Sequence, residues 1–339
     1  MKILLFSDNH FCKNSSIVRG RGTKYSLRLE NQIQSLNWVE QVDVENNCDL
    51  VICLGDFFDK PVLTDEELTA LKDIQWNNLH HYFIVGNHES SVNSLKYNST
   101  RALESPIHFI VDEPITIPDF SAGLDICILP YIVESDRKSL QEYFPTISRR
   151  IILSHNDIKG LQMGSIISKE GFGVDEIESQ CELFINGHIH NGTKFCKNGY
   201  NLGNLTGQNF SENAFIYKHQ VAILDTKTLK MEFIENPYAF NFYKIEINND
   251  DDFNILRGLK NNSLVSIKCK DYLVEELKQY LENSANILNY KITIVYSEST
   301  TESNYEDLTV DHLEKFVEFC KDKLGNLEIV NEELKELCK

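Results

Sequence analysis

The chain has 339 residues, room for about two domains at roughly 100–200 residues each. Its 51 acidic and 33 basic side chains leave a net charge of −18, which argues against a protein whose whole surface embraces nucleic acid or an anionic membrane. No apolar run approaches the ~20 residues that span a bilayer, no signal-peptide core opens the sequence, and nine scattered cysteines lack any CxxC pair, so reduced thiols in a cytoplasm are expected.

Taken in chain order, the apolar run 2–7 ends at Asp8 and predicts a buried strand; 50–54 and 82–85 repeat that form. Between the first two, Leu27, Ile33, Leu36, Val39 and Val42 fall near helical spacing, and a long helix is expected over 26–46. Thr64 and Glu67 form a capping box that opens a helix to about Trp76. Strands are expected at 125–129, 149–154 and 182–186, a hairpin turn at Asn198-Gly199, and a closing hairpin from 219–225 and 229–234. Strand–helix alternation predicts a layered α/β domain over 1–237.

From about 240 the texture changes. Strand-like 242–247, 263–268 and 287–296 alternate with helix-like 251–259 and 271–283, giving a small α+β unit over 238–296. Residues 297–307 are acidic, without aliphatic side chains, and read as a solvated linker. Two amphipathic helices, about 308–324 and 329–338, are expected within 308–339; Leu308, Leu313, Phe316, Val317, Phe319, Cys320 and Leu324 form an apolar stripe that either docks a partner or packs on the chain's own α+β unit.

Five short motifs end or follow the strands: Asp8-Asn9-His10, Gly55-Asp56-Phe57-Phe58-Asp59, Gly86-Asn87-His88-Glu89, Ser154-His155 and Gly187-His188-Ile189-His190. They hold five of the ten histidines, at the sheet edge where α/β proteins place ligands. Carboxylates, imidazoles and one amide oxygen make a mixed oxygen and nitrogen donor set, suited to two octahedral divalent ions such as manganese or iron. Asp56 is the natural bridge between them, because the glycine before it lets the backbone approach closely.

These motifs, in this order, resemble the calcineurin-like metallophosphoesterase superfamily over roughly residues 1–235. The resemblance implies a two-sheet α/β sandwich with helices outside. It places one metal on Asp8, His10, Asp56 and His190, and the other on Asp56, Asn87, His155 and His188. It makes His88 the general acid that protonates the leaving oxygen. Glu89 either orients His88 or is a solvated strand-end charge; Asp59 either supports a ligand or caps the next loop.

Within the superfamily, Lys60-Pro61 after Asp59 departs from the G-D-x-x-D-R-G pattern of protein phosphatases. The chain is more similar to SbcD-type DNA repair and recombination nucleases, including compact phage versions, for three reasons. A glycine-containing extended segment and a long helix follow D-x-H, the Gly55–Asp59 motif is similar, and an α+β unit follows where that family has its DNA-capping domain. The resemblance implies an exonuclease and endonuclease dependent on Mn2+, with Fe2+ or Mg2+ as alternatives. It implies a homodimer within a heterotetramer, partnered by an SbcC-like ATPase whose coiled coil receives the C-terminal helices, in the cytoplasm (the host's, for a phage protein) and without a membrane. Leu36, Trp38 and Val39 lie in the helix where that family dimerises, or are core. A phosphoprotein phosphatase or small-molecule phosphodiesterase is the competing enzyme reading, and an inactive scaffold subunit the non-enzyme one.

Independently of the resemblance, residues 9–29 hold Lys13, Arg19, Arg21, Lys24 and Arg28 and no acid. This run begins at a metal motif, so it either follows a DNA backbone or is an ordinary basic loop.

Overall fold

Uninterrupted apolar runs become strands buried on both faces, because each sheet is covered on one side by helices and on the other by its twin. A computed structural model describes residues 1–296 apart from 16, 19, 92–93, 146–148 and 164–165. The expected linker 297–307 and the helices of 308–339 lie outside the described residues, as does Arg19.

The first six-stranded sheet runs Lys230–Glu235, Gln220–Asp225, Lys2–Phe6, Leu50–Cys53, His81–Ile84, His108–Val111. Its last four strands are parallel, and the 220–235 hairpin joins antiparallel to Lys2–Phe6. The second sheet runs Thr193–Lys194, Gly199–Asn201, Leu183–Asn186, Arg150–Ser154, Leu124–Leu129, Ile115–Asp119, parallel through its four middle strands.

Alternation along each strand divides the core into layers. Ile3, Leu5, Ile52 and Ile84 meet Ile126, Ile128, Ile151, Leu153 and Ile185 between the sheets. Leu4, Phe6, Val51 and Phe83 point the other way, under Leu29, Leu36, Trp38 and Val39 of the long helix. Behind the second sheet, Leu129, Ile152 and Phe184 pack with Leu140, Phe144 and Ile177 from two short helices. The result is the two-sheet α/β sandwich with helices outside. Leu36, Trp38 and Val39 are buried core residues, the second of the two roles considered for them.

The long helix spans Leu27–Asn46, capped by the Ser26 hydroxyl, which accepts from the Leu29 amide, and closed by Asn47 in the left-handed region. The Thr64–Glu67 capping box forms, yet its helix ends at Ala70 and passes through one tight turn at Leu71–Asp73, short of Trp76. Trp76 instead lies edge-on to His81, Phe83 and His108, at 5.4, 5.8 and 4.9 Å between ring centres. Among the described residues no helix is long and apolar enough to cross a membrane.

Downstream, Asn241–Ile247, Ser263–Lys270 and Ile287–Val295 form a parallel three-stranded sheet. The helices Asn254–Arg257 and Val274–Glu282 lie between its strands in sequence and help bury a separate cluster around Ile245, Val265, Ile267, Leu277 and Leu281. Residues Met1–Val295 form one compact unit. The small sheet is joined to the first part by the Gly207 amide donating to Phe240 O at 3.1 Å and the Ala214 amide to Phe242 O at 2.8 Å.

Phe57 is fully buried within an aromatic cluster of Phe6, Phe11, Phe58, Phe83 and Trp76. Phe57→Ala should cost about 3–5 kcal/mol. The check is denaturant unfolding: the midpoint falls while the slope, set by exposed surface, stays constant.

Candidate metal centre

All five motifs follow the C-terminal ends of parallel strands, three in the first sheet and two in the second, so their loops meet at one edge of the sandwich. The backbone there is unusual. Of seven non-glycine residues with positive φ among those described, four are Asp8, His10, Asp56 and His188, at 49°, 48°, 49° and 72°. Such conformations cost energy and persist where the surroundings enforce them. Gly55, at φ 101°, passes so close to His155 that a Cβ would lie 2.3 Å from its Nδ1. A Cβ on Gly86 would lie 2.1 Å from Asp56 Oδ1. Both glycines are required by close approach.

Three overlapping groups of donors result among the described residues: two match the expected donor sets, and His10, Asp56 and His88 form the third. Asp8, His10 and His190 gather at one point, with the two Nε2 atoms 3.0 Å apart and Asp8 Oδ1 4.0 Å from His10 Nε2. Asp56, His155 and His188 gather at the other, with Asn87 Oδ1 3.2 Å from His155 Nε2. A single oxygen, Asp56 Oδ2, faces both: it is 3.8 Å from His10 Nε2 and 3.2 Å from His155 Nε2.

Outer hydrogen bonds aim the imidazoles. His155 Nδ1 donates to Leu54 O at 2.7 Å, and His190 Nδ1 to Glu212 Oε1 at 2.8 Å. His10 Nδ1 stands 3.2 Å from the Asp59 carboxylate, and His188 Nε2 donates to Asp157 Oδ1 at 3.2 Å. With one nitrogen occupied outward, the other is left to bind a cation. Asp8 Oδ1 is buried without a hydrogen-bond partner, as a ligand oxygen awaiting a cation would be. This donor set fits two divalent ions, and calcineurin-like phosphoesterases use a dimetal site.

Electrostatics agree. Burial opposes a charge on His155, but the Asp56 and Asp8 carboxylates lift it to about 9. His190 is lifted to about 9 against its burial by Glu212, Asp8 and Asp56. Burial outweighs Asp59 and Asp56 at His10, whose pKa falls. Asp56 is held well below the usual carboxylate range, its burial overcome by His155 and His10.

The remaining candidates separate. His88 Nδ1 is 3.1 Å from the Asp59 carbonyl oxygen, its amide donates to Asp56 Oδ1 at 3.0 Å, and its ring meets His10 edge-on at 4.6 Å. Asp59 lies beside both His10 and His88. Glu89 corrects both expectations: it is fully buried and accepts from the Phe58 amide at 3.0 Å and the Gly86 amide at 2.7 Å, fastening two motif loops together. Burial and the Asp56 charge push it up to about 7.

In the basic run, Lys13 and Arg21 face Glu66 at 3.9 and 3.3 Å, and Lys24 pairs with Asp73 at 2.6 Å. Arg28 is corrected: it is buried, donating to His10 O at 3.4 Å, to Cys12 Sγ and to Gln208 Oε1. Gln32 Nε2 holds the Asn9 and His10 carbonyls, each at 2.7 Å. Sequence reasoning missed Glu212, Asp157, Gln32 and Gln208. Asp157 follows His155 by two residues and offered a faint signal; the others sit in no motif.

At neutral pH without metal, His155 and His190 hold protons, since both titrate near 9. A cation must displace them, so metal binding should release protons and manganese affinity should rise as pH climbs toward about 9. Calorimetry in buffers of different ionisation heat reads the release directly; no proton release at pH 7 would refute it.

The calcineurin-like phosphoesterase family model matches residues 1–213. No curated protein matches the chain. Among solved structures, an archaeal phosphodiesterase is similar at 15% identity and TM-score 0.36, with 69% of this chain and 99% of that one covered. A dimetal phosphatase from Danio rerio aligns at 12% identity and TM-score 0.37, covering 69% and 98%. The phosphoesterase YfcE from E. coli aligns at 12% identity and TM-score 0.31, covering 70% and 100%. The family match itself spans every residue of both donor sets, and on that ground the chain belongs to the calcineurin-like phosphoesterase family.

Proposed function

We propose that this metallophosphoesterase is a two-metal DNA phosphodiesterase, an SbcD-like nuclease subunit. The observation that carries the hydrolytic reading is Asp56 Oδ2 facing both donor sets, with His88 beside them and 43% exposed. Asp8, His10, Asp56 and His190 would hold one ion, and Asp56, Asn87, His155 and His188 the other. Bound there, two divalent ions (Mn2+ on this reading) supply Lewis-acid polarisation of a phosphoryl group and activation of water.

The protein's own residues do the rest. The Asp59 carbonyl holds His88 Nδ1–H, which turns Nε2 outward toward substrate. The Asp59 carboxylate stands 3.8 Å away. On this reading His88 would protonate the leaving oxygen through Nε2. Its amide bond to Asp56 fixes the acid to the carboxylate shared by both donor sets.

Support for a polymeric substrate is the openness of this edge: Asp59, His88 and His190 are all solvent-accessible, so a chain can run past without burying its ends. The small α+β sheet adjoins the same region through the 207–214 segment. The dimer and the SbcC-like ATPase belong to this reading. A small-molecule phosphodiesterase or phosphatase is the second reading, favoured by Glu66 and Asp73, which already face Lys13, Arg21 and Lys24.

The test is incubation with manganese and end-labelled linear duplex, circular single strands or p-nitrophenyl phosphate. DNA cleavage should fall at least about 100-fold in His88→Ala with manganese uptake retained. Asp56→Ala should lose both cleavage and uptake. Intact DNA, alone and with a coiled-coil ATPase partner, beside a hydrolysed monoester would establish the second reading instead.

A further inference from the structure

We infer that Glu212 is the positioning residue of the first donor set: it aims His190, and the segment bearing it ties that aim to the small α+β sheet. The inference rests on the two-metal reading.

Glu212 is fully buried. Oε1 accepts from His190 Nδ1 at 2.8 Å and from Asn209 Nδ2 at 3.1 Å. Oε2 accepts from Asn204 Nδ2 at 2.8 Å and from the Gln208 amide at 2.7 Å. His190 is its sole ion-pair partner among the described residues; the other donors are neutral amides. A buried carboxylate with neutral neighbours is costly unless a cation balances it. His190 supplies that balance in direct contact, from the ring itself or from the ion the ring holds, with the buried His219 the other imidazole in electrostatic reach. A carboxylate behind a ligating imidazole also fixes the tautomer and strengthens the ligand.

The same segment reaches His10, the other imidazole of this set. Gln208, whose amide bonds Glu212, accepts from Arg28, and Arg28 donates to His10 O. The segment is also sewn to the small sheet. The Gly207 amide donates to Phe240 O, the Phe240 amide to Thr206 Oγ1 at 2.9 Å, and the Ala214 amide to Phe242 O. The two rings 3.0 Å apart are thus set from one segment, which is anchored on the strand that opens the α+β unit. The imidazoles of the second donor set are held elsewhere, His188 by Asp157 and His155 by Leu54.

The test is manganese titration of the full chain by calorimetry, with thermal melts of the metal-free forms. Glu212→Gln, close to isosteric, offers one acceptor where two oxygens each take two donors. It should weaken one of two manganese sites by about 10–100-fold and leave the other at wild-type strength. Glu212→Asp keeps the charge but shortens the reach, and should give the same selective loss, smaller; it serves if the glutamine variant does not fold. Asp157→Asn should weaken the opposite site. Both sites at wild-type strength in a folded Glu212 variant would overturn the inference, as would equal weakening of both, which marks a general structural role. A wild-type chain that takes up no manganese would bring down the two-metal reading, and this inference with it.

Discussion

One carboxylate oxygen, Asp56 Oδ2, sets the terms for the rest of the structure. It stands between His10 on one side and His155 on the other, and neither donor set comes from one sheet alone. Asp8, His10, Asp56 and Asn87 follow strands of the first sheet; His155, His188 and His190 follow strands of the second. The register between the sheets is therefore the register of the site. The Ile and Leu side chains packed between them, Ile3 and Leu5 against Ile151, Leu153 and Ile185, fix it together with cross-sheet hydrogen bonds such as His155 Nδ1 to Leu54 O.

That constraint explains where strain and glycine fall. A donor at a strand end points along the chain's exit, and convergence on one oxygen needs a sharper turn. Asp8, His10, Asp56 and His188 take it in the left-handed region, and Gly55 and Gly86 clear the space beside His155 and Asp56. Glu89 then locks the two loops that carry Asp56 and Asn87 by accepting from both backbones. Strain of order 1–3 kcal/mol at such a position is stable only when neighbours over-determine it, and the buried amide bonds of Glu89, Gln32 and Arg28 are those neighbours.

The central strands and the residues that converge on the candidate site were legible in the sequence for one reason: each is a local signal. An apolar run ending in Asp or Gly announces a buried strand and its loop, and the long helix carried its own cap at Ser26. The α+β alternation after 240 was likewise local. What stayed hidden depends on distant partners. His108–Val111 and Ile115–Asp119 are edge strands, the latter containing Pro118, and carry no pattern of their own. Trp76 leaves its expected helix because His81, Phe83 and His108 offer more burial than another turn. Arg28 looked like one more surface cation, yet its partners are Gln208 and a carbonyl in the D-x-H loop. Glu212 lies 22 residues from the histidine it holds, in a segment without a motif.

Those hidden partners change the meaning of the chain's charge. A basic stretch with no acid, in a protein of net charge −18, suggests a phosphate track until Glu66 and Asp73 are seen beside Lys13, Arg21 and Lys24. These exposed pairs are screened by solvent and worth little each, so a phosphate can displace the acid at small cost, but gains correspondingly little net attraction. Long-range pull on a polyanion is then weak. The candidate metal centre is different, because its carboxylates Asp8 and Asp56 are buried and faced by imidazoles. On the nuclease reading, a phosphodiester is gripped at the one place where two divalent ions outweigh local acid, and the surrounding surface repels what does not reach them. On that reading such a protein would select by access to the Asp56 edge and not by affinity of its surface, and the 207–214 segment, which joins the site to the small α+β sheet, is where that access would be set.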